Sequence, residues 1–442
     1  MPSSDQKPDK NSGPHSDPHA DRPAQITLHR AAWILPISSP PIRDGIVAVR
    51  DGRILEAGAA QSMRKKYGRL EGIHQPAEKH LVDYGDGAIL PSLVNAHTHL
   101  ELSCLAGRVQ AGAGFVGWIK NLILARERCK SRDVEAGILA AIEELRQRGT
   151  GLVGDVSNTG LSIPFLRESS LKGIVFVEAI GFQPQKEREN WKYVQYIIGH
   201  YSRFSQGAER GVHICLAAHA PYSVSSRYMQ LLQKDQHALD EPFSIHVAES
   251  TEESTFLSTG EGEFRQFLID RGGWDPDWGP PKTTPVQYLS RLGALRGGTI
   301  CVHAVWVDDE DIDILAMSGS HPCICPRSNH TLGVGRAPVE KFLQRGISPC
   351  LGTDSLASNS SLCLWQEMSF LKNAIPSLPC NQILKMATLS GSLALGEREF
   401  GSIEAGKYAS LIFLPVTASS VDAIEEALVT EGQEKEVRWV ST

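Results

Sequence analysis

The sequence lacks the features that mark membrane and nucleic-acid-binding proteins. Its 442 residues contain no continuous apolar run of about 18, the length that a membrane-spanning helix needs. No Lys/Arg run is interleaved with aromatic side chains, and the formal net charge is −7, so neither nucleic acid nor a membrane is expected as a partner. The amino-terminal stretch has no apolar core of the kind found in secretory signals, and we therefore expect a cytoplasmic protein.

The sequence also lacks a regular cysteine framework. Its nine cysteines are an odd number without repeating spacing. Several of them lie inside apolar runs, namely Cys215, Cys301, Cys323 and Cys350. Because disulfide-stabilised domains carry regularly spaced, paired cysteines, we expect reduced thiols in the core rather than disulfides.

The hydrophobic pattern changes along the chain and predicts an α/β protein. Residues 1–24 are polar and proline-rich, which is typical of a disordered tail. Residues 25–89 form short β-type runs separated by turn residues, which predict an antiparallel sheet or sandwich. From 90 to 397, eight short apolar strands alternate with helical stretches, and this alternation predicts a (β/α)₈ TIM barrel. Residues 398–442 are β-like again.

Two parts of this division need interpretation. We expect the two β-rich ends to form one small composite β-sandwich domain, although the sequence also allows two separate units. Residues 270–285 interrupt the barrel pattern with Gly, Pro and Trp. They predict a long loop after the fifth strand, at the barrel face where active sites lie.

Histidines and a carboxylate stand at the ends of the predicted barrel strands. His97 and His99 close the first strand, and residues two apart on a strand point to the same face. His246, His303 and Asp354 lie at the ends of the fifth, sixth and eighth strands. The carboxyl ends of barrel strands converge, so the sequence predicts one shared site. Three histidines and a carboxylate suit a single divalent ion, most naturally zinc, with iron or manganese as alternatives.

A site of this composition predicts hydrolytic chemistry. A bound divalent ion lowers the pKa of a water from about 16 towards about 7, which gives hydroxide at neutral pH. Glu249 lies three residues after His246 and is suited to general acid/base catalysis, typically worth about 10²–10⁴-fold. The alternative, in which Glu249 merely begins a surface helix, stays open.

These motifs resemble those of the amidohydrolase superfamily. The matching stretches, in order, are LPSLVNAHTH, IHVAE, VHAVWV, PRSN…LGVGRAPV, GTDS and ATLSGSLALG…GSIEAGK. The resemblance covers about residues 25–415 and is closest to the aminohydrolases and chlorohydrolases, which include cytosine, guanine and S-adenosylhomocysteine deaminases. Two positions depart from the usual pattern, because Ser92 replaces a glycine after Pro91 and Ser410 replaces an aspartate.

The resemblance implies a role for each residue of the site. Glu249 moves protons, His303 orients the hydroxide and stabilises the tetrahedral intermediate, and Asp354 also accepts a proton. Members with two metals bridge them by a carboxylated lysine at the end of the fourth strand, where this sequence has His219, so one ion is expected. The implied metal ligands are His97, His99, His246 and Asp354.

Within this superfamily the stretches HTHLELS, GFVGWIKNLI and PVQYLSRLG resemble the aminodeoxyfutalosine deaminases of menaquinone biosynthesis. Those enzymes remove ammonia from the adenine ring of a nucleoside that carries a benzoate. Glu101 is suited to accept hydrogen bonds from ribose hydroxyls, Trp118 to stack on a ring, and Arg108 or Arg327 to pair with a carboxylate. The expected substrate contacts are Glu101, Arg108, Trp118, His219, Arg327 and Asn329.

Three other functions are considered. The same activated hydroxide would allow dechlorination or amide-type cleavage of an s-triazine or related heterocycle. A deaminase of the base-flipping class is set aside, because that class needs an H-x-E motif together with P-C-x-x-C, and the stretch CICPRSN does not match the second motif. A non-catalytic barrel scaffold is the third, although every implied ligand and catalytic residue is present. A homodimer is expected only by analogy with this architecture.

Overall fold

The computed structural model describes residues 26–68, 80–110, 114–202, 211–239 and 241–440. The predicted tail, residues 1–24, lies outside these ranges. Within them, no helix combines the length and the apolar character needed to cross a membrane. All nine cysteines are free thiols and seven of them are buried, which confirms the prediction from their spacing.

One of the two sheets takes its strands from both ends of the chain, as the sequence predicted. It has seven strands in the order β15-β14-β5-β1-β2-β3, with β4 beside β1. Its strands are β1 (Ile26–Ile34), β2 (Ile42–Arg50), β3 (Arg53–Ala59), β4 (His80–Asp83), β5 (Ala88–Pro91), β14 (Leu411–Leu414) and β15 (Arg438–Trp439).

This sheet is mixed, so the prediction of an antiparallel arrangement is only partly right. The pairs β1–β2, β2–β3 and β5–β14 are antiparallel, but β4 and β5 run parallel to β1. The reason lies in helix α1 (Ala60–Gly68), which follows β3. A helical crossover returns the chain to the end of the sheet where it started, so the next strand runs in the same direction.

The second sheet contains eight parallel strands in sequence order, one at each predicted position. The first and last strands meet at their carboxyl ends, where Thr98 bridges to Asp354. The barrel strands are β6 (Leu93–Thr98), β7 (Thr150–Ser157), β8 (Lys172–Ala179), β9 (Val212–Ala218), β10 (Phe243–Val247), β11 (Thr299–His303), β12 (His321–Ile324) and β13 (Cys350–Leu351).

Helices follow or join these strands, as expected for a (β/α)₈ barrel. They are α2 (Gly114–Glu127), α3 (Ser131–Gln147), α4 (Ser162–Glu168), α5 (Pro184–Ser202), α6 (Ser226–Leu239), α7 (Thr251–Thr259), α8 (Glu263–Asp270), α9 (Pro285–Arg291), α10 (Asp309–Ser318), α11 (Pro326–Leu332), α12 (Val339–Gln344), α13 (Leu364–Ala374), α14 (Cys380–Met386), α15 (Leu389–Ala394) and α16 (Val421–Glu431). Short 3₁₀ helices cover Leu100–Leu105 and Gly432–Glu434.

Alternating side chains separate the barrel interior from the layer under the helices. On β8, Ile174 and Phe176 belong to the interior cluster, whereas Val175 and Val177 pack in the outer core. This is the two-residue period of an extended strand. Along each strand, alternate residues therefore face the barrel interior. Those nearest the carboxyl end lie at the mouth of the barrel, where the polar side chains are found.

The two departures from the superfamily pattern lie against each other at the junction of sheet and barrel. Ser92 lies between β5 and β6, and its Oγ is 2.8 Å from Ser410 Oγ. The Ser92 amide also donates to the Ser410 carbonyl at 2.9 Å. A Cβ on Gly151 would lie 2.2 Å from Ser92 Oγ, so the backbone of β7 passes close to this pair. The two hydroxyls thus satisfy each other.

Two further segments complete the fold. The segment 270–285 is irregular between α8 and α9, as predicted, and its Trp274 and Trp278 pack against Phe182 at ring distances of 6.1 and 5.2 Å. The carboxyl-terminal part is less purely β than predicted, because α16 places Leu428 in the core shared with the barrel helices.

Candidate active site

Side chains from three barrel strands meet at the mouth of the barrel. One nitrogen each of His97, His99 and His246 lies within 4.8 Å of the others. Asp354 Oδ1 lies 3.7 Å from His97 Nε2 and 3.6 Å from His99 Nε2. The structure therefore brings together the four residues that the sequence suggested as metal ligands.

The histidines of this cluster offer ring nitrogen atoms that are suited to bind a cation. Both ring nitrogens of His97 are buried without a hydrogen-bond partner in the described part of the chain. Nδ1 of His246 bonds the His219 carbonyl at 2.7 Å, which leaves Nε2 free. Burial and the neighbouring His97 lower the pKa of His99 to about 3, so its imidazole is neutral at pH 7, as a metal ligand must be. A set of three nitrogens and one carboxylate fits a divalent ion such as zinc.

Asp354 is held as a carboxylate. Its Oδ2 accepts hydrogen bonds from Ser328 Oγ at 2.6 Å and Ser358 Oγ at 2.8 Å, and Oδ1 accepts one from the Ser355 amide at 2.7 Å. Burial by itself would raise the pKa of Asp354, but the adjacent His97 ring and the other surrounding histidines hold it well below its usual range. Nothing in the sequence marks the two serine hydroxyls, which come from α11 and from the loop after β13.

Glu249 is buried at the same mouth, with 5 % of its surface exposed. Helix α7 begins at Thr251 with Ser250 as its N-cap, so Glu249 precedes that helix and faces inward. Burial, together with the charge of Asp354, raises its pKa well above the usual value. This environment therefore favours the protonated form of its carboxyl group. Glu249 Oε1 lies 3.4 Å from His303 Nε2.

His303 is oriented by a residue on α11. Its Nδ1 is 2.8 Å from Asn329 Oδ1, and since that oxygen only accepts, Nδ1 carries the hydrogen and Nε2 is an acceptor. Burial lowers the pKa of His303 to about 4, which keeps the ring neutral. The backbone of His303 has φ +72°. The preceding Val302 points into the barrel, so strand alternation alone would turn His303 outward, and the left-handed conformation turns it to the mouth.

The comparisons with known proteins agree with this geometry. A family model described as amidohydrolase family matches residues 88–436, more than half of the chain. The chain belongs to the amidohydrolase family.

Two curated relatives of this amidohydrolase are similar over most of their length. A 5-methylthioadenosine/S-adenosylhomocysteine deaminase of Nitratidesulfovibrio vulgaris is 29% identical over 423 residues, 90% of this chain and 86% of the relative. An aminodeoxyfutalosine deaminase of Deinococcus radiodurans is 29% identical over 365 residues, 80% of this chain and 82% of the relative.

Solved structures share the fold at lower identity. Helicobacter pylori aminofutalosine deaminase in complex with methylthio-coformycin aligns with a TM-score of 0.80 and 23% identity, covering 93% of this chain and 97% of that one. Atrazine chlorohydrolase from Arthrobacter aurescens TC1, complexed with zinc, aligns with a TM-score of 0.72 and 17% identity, covering 91% of each chain. At these identities the likeness establishes the fold alone.

The cluster of this amidohydrolase opens into a cavity of about 340 Å³. Apolar side chains of α2, including Trp118, Ile119 and Leu122, form one of its walls. Of the residues singled out from the sequence, the cavity is lined by His99, Trp118, His219, His246, Glu249, His303 and Asp354.

Glu101 is placed elsewhere than the sequence suggested. Its buried carboxylate is not part of the cavity lining. It accepts hydrogen bonds from the loop after β7, including Thr159 Oγ1 at 2.8 Å, the Leu161 amide at 3.0 Å and the Ser157 hydroxyl. These three donors all bind Oε1, and Oε2 accepts from the Asn158 amide at 3.3 Å and the Thr159 amide at 3.2 Å, so Glu101 is suited to shape this loop rather than to bind ribose hydroxyls.

The remaining three candidates also lie outside the cavity lining. Arg108 is exposed in the turn after the first 3₁₀ helix. The Arg327 guanidinium donates to Ser360 Oγ at 2.6 Å, and its backbone amide donates to Glu367 Oε2. Asn329 acts on the site through His303. The reason for the two arginine misplacements is the same, since a motif position does not tell which way a loop side chain points.

Sequence reasoning missed four charged or amide side chains of the cavity wall: Arg126, Asn158, Glu178 and Arg271. Glu178, His219 and His246 form a second close group, with one ligand-type atom of each within 4.8 Å of the others. A signal for Glu178 was present in the sequence. It follows Ile174 and Phe176 at two-residue spacing on the third barrel strand, and the same rule had predicted the histidines.

Proposed function

We propose that this amidohydrolase is a zinc-dependent deaminase that hydrolyses the exocyclic amino group of an adenine-type nucleoside. The observation that carries this proposal is the meeting of the histidine–aspartate cluster with His303 and with Glu249, whose raised pKa favours the protonated form, in one cavity. The deaminase names of the two curated relatives support the adenine ring as the group acted upon.

In this proposal the zinc ligands are His97, His99, His246 and Asp354. When bound, a divalent ion supplies the nucleophile by lowering the pKa of a water towards about 7. The unpartnered His97 nitrogens and the lowered pKa of His99 prepare the site for this role. None of the described residues that line the cavity is a lysine, and we retain a single ion.

The protein's own groups then move the protons. Asp354 Oδ1, held as an ionised carboxylate, receives a proton from the attacking water. Glu249 starts with its proton and donates it to the ring nitrogen next to the carbon under attack. The proton that Asp354 received then goes to the departing amine, which leaves as ammonia. The ionised Glu249 takes the proton of the new hydroxyl as that group becomes the carbonyl, and so returns to its starting state. Nε2 of His303, an acceptor because Asn329 holds Nδ1, fixes the direction of the attacking hydroxyl.

The walls of the cavity suit a nucleoside with an extended substituent. The cavity volume of about 340 Å³ lies within the range of small-molecule sites. The indole of Trp118 offers a surface for a planar ring. Arg271 replaces Arg108 and Arg327 as the cation placed to pair with a carboxylate. Aminodeoxyfutalosine and S-adenosylhomocysteine both carry such a group, and we propose them ahead of adenosine.

Hydrolysis of an s-triazine is the second candidate, and the site favours it less. Chloride leaves without a proton, whereas an amine must be protonated to leave, and in the proposed mechanism Asp354 passes the proton it took from the water to that amine. The similarity to the atrazine chlorohydrolase concerns the fold. A scaffold without activity has no need for buried, unpartnered ligand nitrogens, because these are costly unless something binds them.

Ammonia release tests the proposal. The zinc-loaded protein is incubated with aminodeoxyfutalosine, S-adenosylhomocysteine, 5′-methylthioadenosine, adenosine, adenine, cytosine, guanine and atrazine, and both ammonia and chloride are measured. We expect ammonia from adenine nucleosides, fastest with those bearing a carboxylate, and no chloride. Chloride from atrazine, or ammonia from free bases alone, would refute the assignment.

A further inference from the structure

Glu178 is a buried carboxylate that the proposed mechanism leaves unused. It stands at the carboxyl end of β8, where the inward positions Ile174 and Phe176 of the barrel interior lead to it. Only 4 % of its surface is exposed, and it lines the cavity beside His219 and His246. Strand β8 thus places the Glu178 carboxylate, a group that only accepts hydrogen bonds, in the wall of the site.

One oxygen of this carboxylate is already fixed. Glu178 Oε2 accepts a hydrogen bond from Asn158 Nδ2 at 2.6 Å. The oxygen of the same amide, Asn158 Oδ1, accepts from Arg126 Nη1 at 2.8 Å. A linked row of three side chains therefore sets the orientation of Glu178 before any ligand binds.

The other oxygen has no partner among the described residues. Glu178 Oε1 is buried and accepts no hydrogen bond from any of them. The nitrogen of His246 nearest to it, Nδ1, is 3.8 Å away and already bonds the His219 carbonyl at 2.7 Å. An unsatisfied buried carboxylate oxygen is costly, and because the Glu178 side chain lines the cavity, a bound ligand is the natural source of a donor for it.

The neighbouring Arg126 guanidinium restricts which ligand group can be the donor to Glu178. Arg126 only donates hydrogen bonds and Glu178 only accepts them, and both line the same cavity with Asn158 between them. A hydroxyl group donates and accepts, so it satisfies both neighbours. An amino group would satisfy only Glu178, and a carboxylate would be repelled by it.

We propose that Glu178 binds a sugar hydroxyl of the substrate, next to the ring that is deaminated. This inference rests on the proposed function and deepens it, because it makes the enzyme selective for ribonucleosides over deoxynucleosides. It also replaces Glu101, whose two oxygens both accept hydrogen bonds from the loop after β7.

The test compares kcat/KM for adenosine, 2′-deoxyadenosine and 3′-deoxyadenosine in zinc-loaded wild type, Glu178→Gln and Glu187→Gln. The glutamine side chain in Glu178→Gln keeps an oxygen for Asn158 but presents an NH₂ group, a donor, to the cavity. We expect the wild type to prefer adenosine over at least one deoxynucleoside by about tenfold or more. In Glu178→Gln that ratio should fall to within about threefold, mainly through KM for adenosine.

Glu187 is the matched control. It is a buried carboxylate on α5 that accepts from the Ser225 hydroxyl and is not part of the cavity wall, so its variant should keep the wild-type ratio. An unchanged ratio in Glu178→Gln, or loss of zinc from that variant, would overturn this inference while leaving the deaminase proposal in place. If wild type deaminates no nucleoside at all, the proposed function fails, and this inference fails with it.

Discussion

At the scale of single residues, the opposite pKa shifts of Glu249 and Asp354 assign one as the acid and the other as the base. Glu249 and Asp354 are both buried carboxyl groups, yet burial raises the pKa of the first, whereas the surrounding histidines hold that of the second low. One group is therefore an acid and the other a base at the same pH. Two carboxyl groups with pKa values pushed apart are typical of acid/base pairs in enzymes.

Replacing Glu249 by Gln tests the acid directly. The glutamine in Glu249→Gln keeps the shape of the side chain but has no acidic proton, so we expect kcat to fall by about 10²–10⁴-fold. The zinc content should stay near the wild-type value, because Glu249 is not among the proposed ligands. Ammonia release and elemental analysis of the same preparation measure both. Retention of more than about a tenth of the activity would exclude Glu249 as the proton donor.

Asn329 is a positioning residue, and its role can be separated from simple packing. In Asn329→Ala the His303 ring loses the acceptor for Nδ1, and we expect kcat to drop at least about tenfold with zinc retained. Asn329→Asp restores the acceptor and adds a charge that raises the pKa of His303. Its activity should recover at high pH, while the acidic limb of the pH–kcat profile moves to higher pH.

The comparison that decides between positioning and simple packing is the acidic limb of the pH–kcat profile, measured for both Asn329 variants. If Asn329→Asp behaves like Asn329→Ala at every pH, the orientation of His303 does not depend on this hydrogen bond, and the assigned tautomer is wrong.

At the scale of elements, the site depends on the closure of the barrel between β13 and β6. The Thr353 and Asp354 amides both donate to the His97 carbonyl at 3.1 Å, so the last strand places Asp354 against the first. Gly352 makes this approach possible, because a Cβ there would lie 2.8 Å from His97 Cβ and 2.9 Å from His97 O.

A methyl group at Gly352 should therefore disturb the metal site. We expect Gly352→Ala to lower the free energy of unfolding by about 1–3 kcal/mol, as overpacking does, and to lower zinc occupancy. Gly199→Ala is the matched control, since Gly199 lies on α5 with nothing within 4 Å of the added Cβ; it should be neutral or slightly stabilising. Urea unfolding and elemental analysis measure both variants. Full zinc occupancy in Gly352→Ala would contradict this account of the closure.

Strand periodicity explains which parts of the site could be predicted from the sequence. Ligand-type residues at strand ends marked His97, His99, His246 and Asp354, because a closed parallel barrel brings those ends together. The same rule applies to Glu178, which was overlooked because its strand reads as a purely apolar run ending in one carboxylate.

Other features had no readable signal. The left-handed backbone of His303 reverses the expected direction of its side chain, and such a conformation in a residue other than glycine follows from tertiary contacts rather than local preference. The saturation of Glu101 depends on a loop almost 60 residues away in sequence. In both cases the deciding contacts are long-range, and a single sequence does not show them.

At the scale of the whole molecule, the stability of the fold should depend on pH through a residue next to the site. Glu253 is fully buried on α7, and burial raises its pKa to about 8. In the unfolded chain its pKa is about 4.3. Between these values the folded state holds a proton that the unfolded state has lost, so this contribution to stability is present at low pH and decreases as the pH rises towards about 8.

Substitution of Glu253 by Gln removes this titration. We expect the free energy of unfolding of the wild type to fall more steeply between pH 5.5 and pH 8 than that of Glu253→Gln. Urea unfolding of the zinc-free proteins at several pH values provides the comparison without linked metal binding. Parallel curves for the two proteins would show that Glu253 is ionised in the folded state throughout this range.

The central claim is that strands from opposite ends of the barrel sequence hold one zinc ion between them. Crystals of the zinc-loaded protein, measured on both sides of the zinc absorption edge, test it most directly. We predict one anomalous peak per chain, about 2.0–2.2 Å from a nitrogen of each of His97, His99 and His246 and from an oxygen of Asp354. A zinc-loaded protein with no peak among these four side chains, or with its zinc held elsewhere, would contradict the account.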